Sequence, residues 1–216
     1  MEKKTKLFLI FTFLIAFFLR FYKLGEVPYG LYQDETAIGY NAYSILKTGR
    51  DEHGQMFPLY FKSFGDYKLP LYIYLSAIPI KLFGLNSFSV RFVSAICGFL
   101  TVVLIYLLVK DILKNKNLAA LTAFLIALNP WHLHYSRATF EVSLSLFLIF
   151  LGTILFYSGL EKKRNIVLFP LGVAILFLAL YTYNYIPIIL HDYLFLFWSS
   201  FIFIFGEGKL KKCHVK

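Results

Sequence analysis

Long apolar runs alternate along the chain with short polar intervals, and the charges collect in those intervals. Runs such as KLFLIFTFLIAFFLRF (6–21) and SLSLFLIFLGTILFYSGL (143–160) approach the ~20 residues that a helix needs to cross a bilayer. The pattern predicts membrane spans at about Leu7–Tyr22, 91–109, Leu118–Leu128 with a polar extension, Val142–Leu160, Ile166–Tyr183 and Ile188–Phe205. One further run, PLYIYLSAIPIKLFG (70–84), is short and contains Pro79 and Lys81. It reads as a surface-lying or re-entrant helix rather than a crossing. The expected fold is therefore all-α and polytopic, with about six transmembrane helices.

Composition agrees with this reading. Of 216 residues, 59% are hydrophobic and 16% charged, against about half and a quarter in soluble domains. The basic start MEKKTK suits a signal peptide, but no small-x-small cleavage site follows the apolar core, so a retained first span is expected. The net charge of +10 would suit a polyanion partner if it were clustered on one surface. Instead it is distributed over short intervals: MEKKTK, KDILKNKN, EKKRN and the tail GEGKLKKCHVK are all net basic. The interval from Lys23 to Leu69 holds five basic and six acidic residues. Basic loops mark the cytoplasmic side, so the charge encodes orientation and no nucleic-acid partner is expected. The N-terminus is then cytoplasmic and the protein a multi-pass protein of the plasma membrane. Residues 1–205 form one transmembrane domain with an external loop over 23–90, and 206–216 form a cytoplasmic basic tail. Cys97 and Cys213 offer neither a disulfide framework nor a metal pattern.

This topology gathers ionisable groups at the external face: Asp34, Glu35, Lys68, Arg91, Arg137 and Glu141. From Asp34 to Lys47 the apolar Ile38, Ala42, Ile45 and Leu46 recur at helical spacing, which predicts a helix lying along the membrane surface, capped by Asp34 and ended by Gly49. The acidic pair has a plain reading as a cap and its solvated neighbour, yet polar groups held at a membrane face are functional candidates. Lys68, just ahead of the 70–84 helix, is within reach of an anionic head group or simply snorkels. Arg137 and Glu141, four apart, could pair on one helix. His132 and His134 with one distant Glu make a weak metal signal, and Trp131 and Tyr135 suit an interfacial belt. His191 and Asp192 inside the last run have no evident role.

The order of these segments carries more than any one of them. The acidic pair and Tyr40 in an external juxtamembrane helix are followed by YKLPLYIYL, LFGLNSFSVRFVSAICGFLTVVLIYLL, NPWHLHYSRATFEVSLSLF and ALYTYNY. This series resembles the N-terminal half of a GT-C glycosyltransferase of family 39, the protein O-mannosyltransferases and lipid A aminoarabinose transferases. The resemblance covers roughly residues 7–187 and is most specific at the acidic pair, KLPLY and SVRFVSA. It implies a sugar donor carried on a polyprenyl phosphate and transfer at the external face to a lipid, glycan or protein hydroxyl. It implies catalytic roles for Asp34 and Glu35, donor-phosphate contact for Lys68, and substrate contacts for Glu141, Tyr40 and Arg137. The aminoarabinose transferases have an arginine just after the acidic pair, where Thr36 to Ile38 stand here, so Arg137 is the candidate to replace it at the phosphate. No cofactor is implied, and the use of a divalent cation stays open. Chains of this family have about twice as many spans, so the sequence reads as the front half of such an enzyme, or as an inactive fragment of one.

The chemistry is consistent with that resemblance. A phosphate leaves as a stabilised anion, so one base to activate the acceptor hydroxyl and cations on the phosphate suffice. Attack opposite the leaving phosphate would invert the anomeric centre. The rival reading is a transporter or flippase of a lipid-linked or anionic substrate, which should show polar groups at mid-bilayer depth and repeat symmetry. A non-catalytic scaffold is the third, and it leaves the external cluster without a purpose.

Overall fold

A computed structural model describes residues 3–63, 65–161 and 167–183. Among the described residues eight helices and one hairpin follow in order: α1 Lys3–Phe21, α2 Gln33–Thr48, β1 Phe61–Ser63, β2 Asp66–Lys68, α3 Pro70–Phe83, α4 Ser87–Leu113, α5 Lys116–Leu128, α6 Pro130–Arg137, α7 Glu141–Glu161 and α8 Leu168–Leu180. Side-chain caps set several boundaries. Asn86 Oδ1 accepts from the Ser89 N–H at the start of α4, Asn115 from Asn117 and Leu118 at α5, and Asn129 from His132 at α6. Each satisfies a donor that the first helical turn leaves unpaired. Pro130 then opens α6 at a position where the missing N–H costs nothing.

The central helix is α4, which packs on α1, α2, α3, α5, α6 and α7. One of its flanks closes a core with α2 and α3, built from Ile38, Ala42, Tyr72, Ile73, Val90 and Val93. Its other flank closes a second core with α1 and α5 through Leu9, Ala16, Val102 and Tyr106. Ala119, Ala120, Ala123 and Ala127 form the buried stripe of α5 in that second core, and small side chains there let helix backbones approach closely. The contact of α7 with α8 uses glycine in the same way. A Cβ at Gly152 would lie 3.0 Å from the Gly172 carbonyl oxygen.

Two described helices, α4 and α7, are long and apolar enough to cross a membrane. The expected third and fifth spans appear as α5 and α8, of 13 residues each, or about 20 Å at 1.5 Å per residue, and α5 stops where Asn129 and Pro130 start a new helix. In α1 the 19 residues begin with three lysines in four positions, which shortens the apolar stretch. The run over 70–84 does form a short helix, α3, with Pro70 in its first turn and Pro79 inside it. The predicted span 188–205, the tail from 206 and the His191–Asp192 pair lie outside the described residues.

Candidate active site

The acidic pair opens α2, and its two carboxylates do different things. The N-cap is Tyr32, two residues before Asp34, which sits near the cap at the second helical position. The reason is Glu35, whose Oε2 accepts the Tyr32 N–H at 2.9 Å and so supplies the cap from the third helical position. Asp34 is left in the first turn with its carboxylate turned to other work. Gly49, at φ +69°, closes the helix as expected, donating its N–H to the Ile45 carbonyl at 2.9 Å.

Glu35 is 2% exposed. Arg91 donates to it twice, Nε to Oε1 at 2.9 Å and Nη2 to Oε2 at 3.0 Å. The Thr139 N–H adds a bond to Oε1 at 2.8 Å, so each carboxylate oxygen holds two donors. Arg91, wholly buried, spends its remaining donors on the carbonyls of Leu24, Pro28 and Gly30. Burial pushes the Glu35 carboxyl up, but the Arg91 hydrogen bonds, the Tyr32 and Thr139 N–H groups and the Arg91 charge outweigh it, leaving the pKa below the ordinary carboxylate value. Beside this clamp, Tyr72 donates to Ser94 Oγ at 2.7 Å, and Ser94 bonds the Phe140 backbone. The link between α6 and α7 is thereby fastened to α2, α3 and α4.

Asp34 is far more accessible, with its side chain 37% exposed, and Lys68 Nζ lies 3.2 Å from its Oδ1. Lys68 itself is only 13% exposed. It arrives there on the hairpin, in which Phe61 pairs with Lys68 and Ser63 with Asp66, and Gly65 takes φ +83° in the turn. A partly solvent-facing carboxylate is thus held against a largely sheltered ammonium at the edge of a hydrogen-bonded frame. Such a pair can take a proton from a hydroxyl and neutralise an adjacent anion.

The other expected site residues are placed less favourably for contact with substrate. Tyr40 is half exposed on the open side of α2. Glu141 begins α7. Arg137 does not pair with Glu141, because the chain leaves helical geometry at Ala138 (φ −118°, ψ 163°) between them. Its guanidinium donates instead through Nη1 and Nη2 to the carbonyls of Leu19, Tyr22 and Val27, where α1 ends.

Sequence reasoning passed over a second buried arginine. Arg20, fully buried in the last turn of α1, donates to the Ala16 and Ala127 carbonyls at 3.0 and 3.3 Å and to His132 Nδ1 at 2.8 Å. Burial and the Arg20 charge push the His132 imidazolium down to about 4. The signal was available in the first run, where an arginine follows thirteen uncharged residues, but a lone arginine at the end of an apolar run ordinarily snorkels.

Comparison with known proteins decides the ancestry. The profile of the dolichyl-phosphate-mannose-protein mannosyltransferase family matches residues 10–182. The chain belongs to that family. A protein of Aquifex aeolicus that bears the name "Uncharacterized protein" is 30% identical over 166 residues, covering 76% of this chain and 31% of the relative. A Bacillus subtilis protein named "Putative mannosyltransferase YkcB" is 27% identical over 201 residues, 90% of this chain and 27% of the relative. The "Dolichyl-phosphooligosaccharide-protein glycotransferase 1" of Archaeoglobus fulgidus is 29% identical over 140 residues, 60% of this chain and 23% of the relative. The chain thus spans less than a third of the length of each of these three. No solved structure matches it. Glycosyltransferase ancestry is established at the family level, and the matched region includes the acidic pair, Lys68, Arg91, Arg137 and Glu141.

Proposed function

We propose that these residues form the catalytic front part of a membrane glycosyltransferase that moves a sugar from a polyprenyl-phosphate donor to an acceptor hydroxyl at the external face. The single observation that carries this is the contact of the accessible Asp34 with Lys68, a base and a cation side by side in a family of sugar transferases. Asp34 takes the proton of the acceptor hydroxyl, and Lys68 offsets the charge that develops on the departing phosphate. Displacement on the face opposite the phosphate inverts the anomeric centre. Glu35 takes a different part from its neighbour. With all its acceptor positions filled, it works as a positioning residue that fixes the start of α2, and with it Asp34, against α4. The reading also places six spans in the membrane, with the basic intervals on the cytoplasmic side.

The test uses a labelled polyprenyl-phosphate sugar and purified protein in detergent, where no gradient exists to drive transport. Asp34→Asn should lower kcat by about 10²–10⁴-fold, with an unchanged unfolding midpoint. Lys68→Ala should lower it by about 10²–10³-fold, as expected for loss of one charge-stabilising donor. Full transfer by Asp34→Asn would remove the base from the mechanism. Binding of the lipid-linked sugar without any transfer would favour a carrier instead.

A further inference from the structure

His132 borders a cavity, and its partner Arg20 carries a charge that no described residue balances. Among the described residues no carboxylate contacts Arg20, whose Nε is buried without a hydrogen-bond partner. A buried cation without a counter-charge is strongly unfavourable. Arginine only donates, so His132 Nδ1 accepts and the ring proton sits on Nε2. His132 lines a cavity of about 350 Å³ between α4, α5, α6 and α7. Its apolar wall is formed by Ile105, Ile126, Leu146 and Phe150, while Tyr135 and Trp131 stand with His132 on the α6 side. Trp131 is 72% exposed, as an indole at head-group level would be. The cavity is at the small end of the range for ligand sites. It runs along α7 from Ser143 to Phe150, two turns of one of the two helices long enough to cross a membrane.

We propose that this cavity seats one acyl chain of an anionic membrane phospholipid, whose phosphate oxygen accepts the His132 Nε2–H. The imidazole then connects the Arg20 guanidinium to an anion, and the lipid supplies a counter-charge that no described residue gives it. A head group of this kind meets an N–H donor backed by a positive charge, while its chain meets aliphatic and aromatic walls. A phospholipid is assigned rather than the sugar carrier because the carrier must bring its phosphate to Lys68 and Asp34, neither of which lines the cavity. The cavity and its donor stand apart from the catalytic reading, but the choice of a phospholipid over the sugar carrier rests on it, and displacement by polyprenyl phosphate separates the two failures.

The full chain, purified in neutral detergent, is exposed to phosphatidylglycerol carrying a diazirine on one acyl chain, and cross-links are mapped to peptides. Label should fall on α6 and the first half of α7. It should exceed that from phosphatidylcholine with the same chain by about tenfold, because both lipids offer the phosphate acceptor but choline's cation offsets the charge that Arg20 attracts. Leu146→Trp should fill the cavity and remove the label, and Ile126→Trp repeats the test from another helix should the first variant not fold. His132→Phe should retain chain labelling and equalise the two lipids. Equal labelling of both lipids by the unaltered protein would overturn the proposal, as would full labelling of a folded cavity-filled variant. So would competition by millimolar inorganic phosphate, which would reassign the site to a free anion. Displacement by polyprenyl phosphate but not by phosphatidylglycerol would reassign it to the carrier.

Discussion

Arg91 and Arg20 are both fully buried near the same end of the bundle, and they are satisfied in opposite ways. Arg91 meets a carboxylate in bidentate geometry and three carbonyls, so its charge is balanced within the chain. Arg20 meets two carbonyls and a neutral imidazole, so its charge is solvated but not cancelled. The first arrangement is a permanent joint between α2, α4 and the link from α6 to α7. The second is incomplete in itself and acquires meaning when something anionic arrives. Burial of a guanidinium therefore does not by itself distinguish structure from binding; the identity of its acceptor does.

The contrast can be broken most severely at Glu35. Glu35→Ala strands Arg91 and should cost about 3–5 kcal/mol of stability, read from unfolding in mixed micelles. Replacing both partners by leucine should recover most of that loss, and no recovery would show that Glu35 acts separately from Arg91. Gly98→Ala comes next. Its Cβ would meet the Ser136 side chain and lie 3.3 Å from Arg20 Nε, an overpacking expected to cost about 1–3 kcal/mol. Arg20→Met should be milder in lipid-free detergent, within about 1 kcal/mol of the parent, because it removes a charge that no described carboxylate contacts. A loss as large as that of Glu35→Ala would mean that Arg20 is as firmly compensated as Arg91.

The smallest difference is one of pH. The His132 pKa falls on folding from 6.5 to about 4, so its contribution to stability is complete above pH 6.5 and is lost as the pH falls toward 4. Glu35 is depressed below its reference value of 4.5, so its contribution persists at higher pH and is lost only below that value. The thermal midpoint should therefore decline in two stages on acidification. His132→Gln should flatten the stage between pH 6.5 and 4.5 and leave the lower stage in place. A midpoint that declines identically in both proteins would detach His132 from the first stage.

The same arginines show how far the sequence could be read. Apolar runs located the helices, and the acidic pair beside a membrane-length run pointed to the family that the profile match then established. Asparagines ahead of α4, α5 and α6 are local signals that act within three residues. The joint at Glu35, by contrast, joins residues 56 and 104 positions apart, and no local pattern encodes such a meeting. Lys68 reached Asp34 through a hairpin of three-residue strands, too short for period-two alternation to stand out. Capping preferences place Asp34 at or near the helix start, but it is Glu35, fixed by Arg91, that accepts the N–H of the cap residue Tyr32. The spacing of Arg137 and Glu141 is a related case. Spacing of four suggests a pair on one helix, but the break at Ala138 separates the two side chains.

The hold of Arg137 on the end of α1 also bears on how the protein is made. The carbonyls of Leu19, Tyr22 and Val27 are closed by a side chain that lies 110 to 118 residues later in the chain. At about 5–20 residues per second, a ribosome needs on the order of 6–24 s to supply it. Through that interval the exit of the first helix relies on water or a helper protein for its hydrogen bonds, and its final pose is set only after α6 has emerged. The first helix to be made is therefore not the first to be finished.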